Sequence, residues 1–223
     1  MRDSKVIQAA AVAAILSAVA ALAITMHGGF APGITAGPHR AAGAALARQA
    51  LLLLKPGGRI LVITRDTTTF PNPAADLLLE GFRRELRQAH ADISGVLSLQ
   101  VDPLRRIEVP PGDFQNWIHH AGGGDVIVSF MGPPLLTAAQ RRQLGEIKPA
   151  IVAFCPGGWP DQLDFRPLFA NGLLRAAIVS RRDQPAVTGR PQNAQAWFDR
   201  NFTVVTAANV DDFVARPSAS TAP

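Results

Sequence analysis

Three places in the sequence hold side chains whose type and setting could do chemistry. Cys155, the lone cysteine, ends the run "AIVAFC" and is followed by Pro156-Gly157-Gly158-Trp159. A cysteine acts as a nucleophile only when a neighbouring base or cation lowers its pKa, and no sequence pattern supplies one. The competing reading is a small buried hydrophobe. His119 and His120 are adjacent, so on a helix their side chains diverge by about 100° and cannot form an i, i+4 metal pair. A solvated pair near a helix end is expected, with no metal. Asp66, followed by Thr67-Thr68-Thr69, could bond a hydroxylated or cationic ligand. It could equally close an Asx turn on its own loop, and the residues alone leave both open.

The common enzyme signatures are missing. The stretch "TRDTTTFPNP" contains no glycine, so neither a dinucleotide-binding turn nor a P-loop forms there. There is no G-x-S-x-G elbow. "LLLLKPGGRILVIT" looks like the late strand of S-adenosylmethionine methyltransferases, but their cofactor site is built on an earlier strand with a Gly-rich turn. Only an apolar segment and one helical stretch precede it here. A receiver-type domain needs a carboxylate at the end of its third strand, where this chain has Met131 and Gly132. No cofactor is expected.

The elements that must position these residues follow from periodicity. An Ala/Leu-rich helix from about His39 to Leu54 is stopped by Pro56-Gly57-Gly58. "RILVIT" is an unbroken apolar run, as in strands covered on both faces. Asn72 can cap the following helix, with Pro73 at its first position and Leu78, Phe82, Leu86 and Ala89 as its apolar stripe. "VLSLQV", Val96 to Val101, alternates and reads as a half-exposed edge strand.

The alternation of helix and strand continues. Asp113 can cap a helix carrying Phe114, Trp117, Ile118 and Ala121, and "DVIVSF" is the third strand. Thr137 and Gln140 form a capping box for a helix burying Leu144 and Ile147. "AIVAFC", then "AAIVS" from Ala176 to Ser180, are the fourth and fifth strands. A helix from Asn193 to Arg200 turns Ala194, Trp197 and Phe198 inward before a last strand, "FTVVT". This alternation gives an α/β class: a three-layer, doubly wound, mainly parallel sheet in the order 2-1-3-4-5, with the sixth strand unplaced. Ligands in such sheets bind beyond the carboxyl ends of the strands, where the order reverses. That crevice falls between the loops Arg65–Asn72 and Met131–Leu135.

Bulk composition narrows partners and compartment. Hydrophobic content of 48% supports a packed core rather than disorder. The net charge of +5 is mostly arginine. It is scattered in pairs such as Arg83/Arg84 and Arg141/Arg142, and tyrosine is absent, so nucleic acid is not an expected partner. Val6 to Met26 contains no charged residue and follows Arg2 and Lys5. It is long enough to span a membrane, with its basic flank in the cytoplasm. The expectation is a single-pass inner-membrane anchor over residues 1–26, a Gly/Pro-rich tether over 27–38, one periplasmic or extracellular α/β domain over 39–216 and a disordered tail over 217–223. Ala21-Leu22-Ala23 offers the alternative of a cleaved signal and a secreted protein.

At "ILVITRDTTTFPNPAADLLLEGFRREL", with Gly81-Phe82 and Glu85-Leu86 on the helix, and again at "DVIVSFMGPP", the chain resembles the type I periplasmic binding proteins and the related sugar-binding repressors. The resemblance covers roughly residues 59–180. It implies a lobe with a 2-1-3-4-5 sheet that holds a small molecule against a second lobe. About forty residues follow the fifth strand, too few for a second lobe of similar size, which leaves two readings: a partner chain or second copy supplies the other wall, or the lobe has lost ligand binding and serves as a docking module. Geometry and resemblance together make Asp66, Thr67, Asn72, Met131 and Gly132 the candidate ligand-binding residues. The expected function is a membrane-tethered or exported binding or interaction lobe, accessory to transport or sensing. The alternative is an exported α/β enzyme using residues such as Asp66 and Cys155.

Overall fold

The computed structural model describes residues 17, 34–101, 108–145, 148–181, 189 and 191–214. The chain divides into Met1–Thr35 and Ala36–Pro223, and the sheet and its helices belong to the second unit. Val6–Met26 lies outside the described residues apart from Ser17, as does the tail. No helix among the described residues is long and apolar enough to cross a membrane.

Six strands, among the described residues, form one sheet: β1 (Ile60–Arg65), β2 (Gly95–Leu99), β3 (Val126–Ser129), β4 (Ala150–Cys155), β5 (Ala176–Ser180) and β6 (Phe202–Val205). Their order is β2-β1-β3-β4-β5-β6, so the 2-1-3-4-5 arrangement expected from the sequence is present. Strands β1 to β5 run parallel, and β6 closes the edge antiparallel to β5, with Ala177 opposite Val205. Register aligns Val96, Val62, Val128, Val152 and Ala176 across the sheet. The apolar runs are continuous because both faces of β1, β3, β4 and β5 are covered. At the edge strand β2 only one face is covered: Leu97 and Leu99 pack inward while Val96 stays exposed, and the sequence alternates accordingly.

Helices α1 (Ala36–Leu53), α2 (Pro73–Gln88) and α7 (Ala194–Asn201) cover one face. On the other lie α3 (Pro111–His120), α4 (Ala138–Gln143), α5 (Trp159–Gln162), α6 (Arg166–Ala170) and α8 (Val210–Val214). Helix α1 begins at Ala36 rather than His39, because Pro38 in a first turn lacks only an N–H that has no helical partner. Every residue from Ala41 to Ala47 is buried, since this helix lies between the sheet, α2 and α7. Asn72 caps α2 by accepting from the Ala75 N–H at 3.0 Å, as its position implies. Asp113 does not cap α3; the helix starts earlier, at Pro111, and places Asp113 in its first turn. The Thr137–Gln140 capping box is formed, but its helix ends at Gln143 and Ile147 lies outside the described residues. Helices α5 and α6, each of five residues or fewer, are too short for periodicity to register.

One polar group is built into the core at the amino end of the sheet. Asp125 is 5% exposed. Its Oδ1 accepts the Arg59 N–H at 2.8 Å, and its Oδ2 accepts Arg59 Nη2 at 2.7 Å and the Gly122 N–H at 2.8 Å. Burial alone would raise this carboxyl. The hydrogen bonds from Arg59 and Gly122, with the Arg59 charge, hold it below the ordinary carboxylate value.

Cys155 is fully buried on the α3–α6 face, and burial pushes its thiol well up from the ordinary value. A thiol in that setting is a packing group, not a nucleophile. Labelling of the native protein at neutral pH is expected to be slow and to follow unfolding. Cys155→Ser should lower stability by about 1–2 kcal/mol in denaturant melts. Rapid stoichiometric labelling would contradict this placement.

Candidate functional site at the carboxyl edge of the sheet

The reversal of strand order at β1/β3 opens a gap beyond the carboxyl ends of the strands, because the crossover from β1 through α2 and the crossover from β3 through α4 run in opposite directions and on opposite faces. A cavity of about 580 Å³ occupies it. That volume lies within the range of small-molecule sites. Thr64 and Arg65 from the end of β1, Asn72 with the first turn of α2, and Phe130 to Gly132 beyond β3 form one side. Phe154, Trp159 and Gln162 from the end of β4 and the α5 region, Ser180 from β5 and Phe202 from β6 form the other, and His39 of α1 also borders it.

Local hydrogen bonds set this shape. After β3 the Phe130 N–H still donates to the Ile63 carbonyl at 2.9 Å, so the chain stays beside β1. The Met131 N–H donates to Ser129 Oγ at 3.3 Å and turns the backbone over the strand end. Gly132 then adopts φ +97°, and a Cβ there would stand 2.6 Å from the Trp159 ring. Glycine is required for both reasons: the left-handed backbone, and the room taken by the indole. Beyond β4, the Gly157 N–H donates to Ser180 Oγ at 3.0 Å, tying the Trp159 loop to β5. The apolar wall is stiffened by edge-to-face ring pairs, Phe82–Phe130 at 5.4 Å and Phe154–Phe202 at 5.6 Å between centroids.

The polar groups on the cavity are unevenly charged. Burial lowers the pKa of His39 from its ordinary value, favouring the neutral ring. Arg65 is half-buried, and its Nε is shielded from solvent with no hydrogen-bond partner. No carboxylate among the described residues lines the cavity.

The five candidate residues from the sequence fall into two groups. Asn72, Met131 and Gly132 line the cavity. Asp66 lies on a separate hollow of about 220 Å³ beside Phe70 and Gln100. Its Oδ1 accepts both the Thr68 N–H at 2.9 Å and the Thr68 hydroxyl at 2.7 Å, and these bonds hold its carboxyl below the ordinary value. Of its two sequence readings, this geometry is the Asx turn. Thr67 gives its hydroxyl to Asp76 at 3.2 Å, away from the cavity. His119 and His120 are both exposed on the last turn of α3, and no metal-binding cluster occurs among the described residues.

Arg65, Trp159, Ser180 and His39 also line the cavity, and no motif in the sequence marks them as ligand-binding. The strand-end rule that selected Met131 reaches Arg65, Trp159 and Ser180 as well when applied to β1, β4 and β5. Nothing in the sequence brings His39 to this edge; tertiary packing of α1 does.

No family model matches the chain, and no curated protein matches it. Solved structures do resemble it. A periplasmic ribose ABC transporter protein from Conexibacter woesei superposes with a TM-score of 0.50 at 14% identity, over 81% of this chain and 61% of that one. A sugar-binding protein of a sugar ABC transporter from Bacillus halodurans gives 0.47 at 13% identity, covering 79% and 64%. A LacI-type transcriptional regulator from Bacteroides fragilis gives 0.48 at 14% identity, covering 78% and 61%. The chain thus spans about three fifths of the length of the structures it matches. At such identity the likeness concerns architecture alone: the chain has the α/β fold of the type I periplasmic binding proteins and the LacI-type regulators.

Proposed function

We propose that the unit beginning at Ala36 is a small-molecule binding domain whose site is the carboxyl-edge crevice, serving transport or sensing outside the cytoplasm. The observation that carries this reading is the 580 Å³ cavity, walled by aromatic and small residues and placed at the strand-order reversal. A solved structure of this fold is described as a periplasmic ribose ABC transporter, which supports a small-molecule role here. Met131, Gly132 and Asn72 form the ligand wall on one side and Trp159 on the other. A partner chain or second copy facing the edge would cover a ligand bound there. Asp66 and Thr67 support the β1–α2 loop instead of touching the ligand. The catalytic alternative has less support, since Cys155 is sealed in the core and Asp66 lies on a separate hollow with one oxygen bonded to Thr68. The membrane anchor is the uncharged Val6–Met26 segment behind Arg2 and Lys5. Membrane fractionation with N-terminal sequencing tests it, and release after Ala23 would replace the anchor with a signal peptide.

Gly132→Ala tests the site. The added methyl meets the Trp159 ring and forces a strained φ. Stability should drop by about 1–3 kcal/mol, and any ligand found by thermal-shift screening should bind the variant at least tenfold more weakly. A variant that binds as well as the wild type would place the functional surface elsewhere.

A further inference from the structure

We infer that the crevice selects an organic anion: an oxyanion head, carboxylate or phosphate, on an apolar body. This rests on the crevice reading above and adds the chemical class of the ligand. The charged group on the wall is Arg65. It ends β1 on the cavity wall, half-buried, with Nε cut off from water and without an acceptor. A guanidinium N–H shut off from water and left without an acceptor is costly unless a ligand supplies one, and the group carries its positive charge to the same wall. The ion pairs among the described residues engage Arg40, Arg48, Arg59 and Arg166, not Arg65.

Three further features lean the same way. No carboxylate among the described residues lines the cavity. Ala74 and Ala75 bring the first turn of the 16-residue helix α2 to the wall, adding the positive end of its dipole. Asp76, in that same turn, is exposed and takes the Thr67 hydroxyl. The remaining polar groups at the wall are Asn72, whose oxygen is committed to the Ala75 N–H, Ser180, whose oxygen accepts from Gly157, Gln162, Thr64 and His39, whose burial favours the neutral ring. A guanidinium fork pairs with two oxygens of a carboxylate or phosphate, while Phe130, Phe154 and Trp159 suit a flat or aliphatic remainder. A neutral sugar could place a hydroxyl oxygen on Nε but would bring no opposite charge to the guanidinium.

The test uses the full chain in detergent or as expressed, with matched probes in calorimetry: phenylacetate against phenylacetamide, indole-3-acetate against indole-3-acetamide, hexanoate against hexanamide, phenyl phosphate, and ribose. At least one acid should bind tenfold or more tightly than its amide, and the phenyl phosphate arm distinguishes the two heads. Arg65→Gln should reduce binding of that anion at least thirtyfold, far more than it changes binding of the matched amide, and leave the unliganded Tm no lower. Ribose or an amide binding as tightly as the matched anion overturns the anion inference and leaves the crevice reading standing. So does anion binding that Arg65→Gln does not change. Failure of every probe, anionic and neutral, counts against both.

Discussion

Gly43→Ala is expected to lower stability by about 3 kcal/mol in denaturant or thermal melts, although alanine is the better helix former. Mid-helix, alanine should gain nearly 1 kcal/mol over glycine. Gly43 sits in the middle of α1, where a Cβ would come within 2.0 Å of the Leu78 carbonyl oxygen and 2.8 Å of the Phe82 nitrogen on α2. These are backbone atoms of a packed helix and cannot swing aside as a side chain would. The two helices must part, and the surrounding Ala-rich interface loses contact along its length. Gly81 of α2 repeats the arrangement in reverse, its missing Cβ facing the Arg40 carbonyl at 2.2 Å. Gly112 provides the control, because it lies in the first turn of α3 with nothing within 4 Å. Gly112→Ala should leave stability unchanged or raise it by up to about 1 kcal/mol. Equal effects at both glycines would mean that the α1–α2 approach is looser than the 2.0 Å spacing requires.

That contact also shows what the sequence could and could not reveal. Periodicity located α2 and its Leu78-Phe82-Leu86 stripe, and an Asn-Pro pair marked its start, because both signals are local. Strand order followed from one contrast, the alternation of β2 against the continuity of β1. It did not place β6, since an antiparallel return at an edge uses the same kind of apolar run. The role of Gly81 was visible only as half of a Gly-Phe pair shared with a known fold. Its physical cause, Arg40 of another helix lying against it, is a long-range fact. The site divides along the same line. Loop ends beside the reversal are set by topology, so Asn72, Met131 and Gly132 were within reach of the sequence. Whether Asp66 faces the cavity or its own loop depends on a rotamer and on the Thr68 hydroxyl, and a strand-end rule carries no such information.

Asp125 makes the second large prediction, and its sign with pH follows from its partners. The carboxylate joins the entrance of β1 to that of β3 through the Arg59 and Gly122 N–H groups, with the Arg59 guanidinium beside it. Asp125→Ala would strand these donors in a region that water barely reaches. It should destabilise the fold by about 3 kcal/mol, more than Arg59→Ala, which removes an arginine side chain 53% exposed. The folded-state pKa of Asp125 lies below its ordinary value of 3.8. The unfolded chain therefore binds this proton first as pH falls. The carboxylate's contribution is complete above the unfolded value and declines from there down through the lower folded value. Urea melts between pH 3 and pH 7 should show the wild type losing stability as pH drops below about 4. Asp125→Asn, already weaker at pH 7 because it brings an amide N–H₂ to a site made of donors, should lose less over the same interval. If the two acid limbs run parallel, Asp125 is not the group whose protonation weakens the amino end of the sheet.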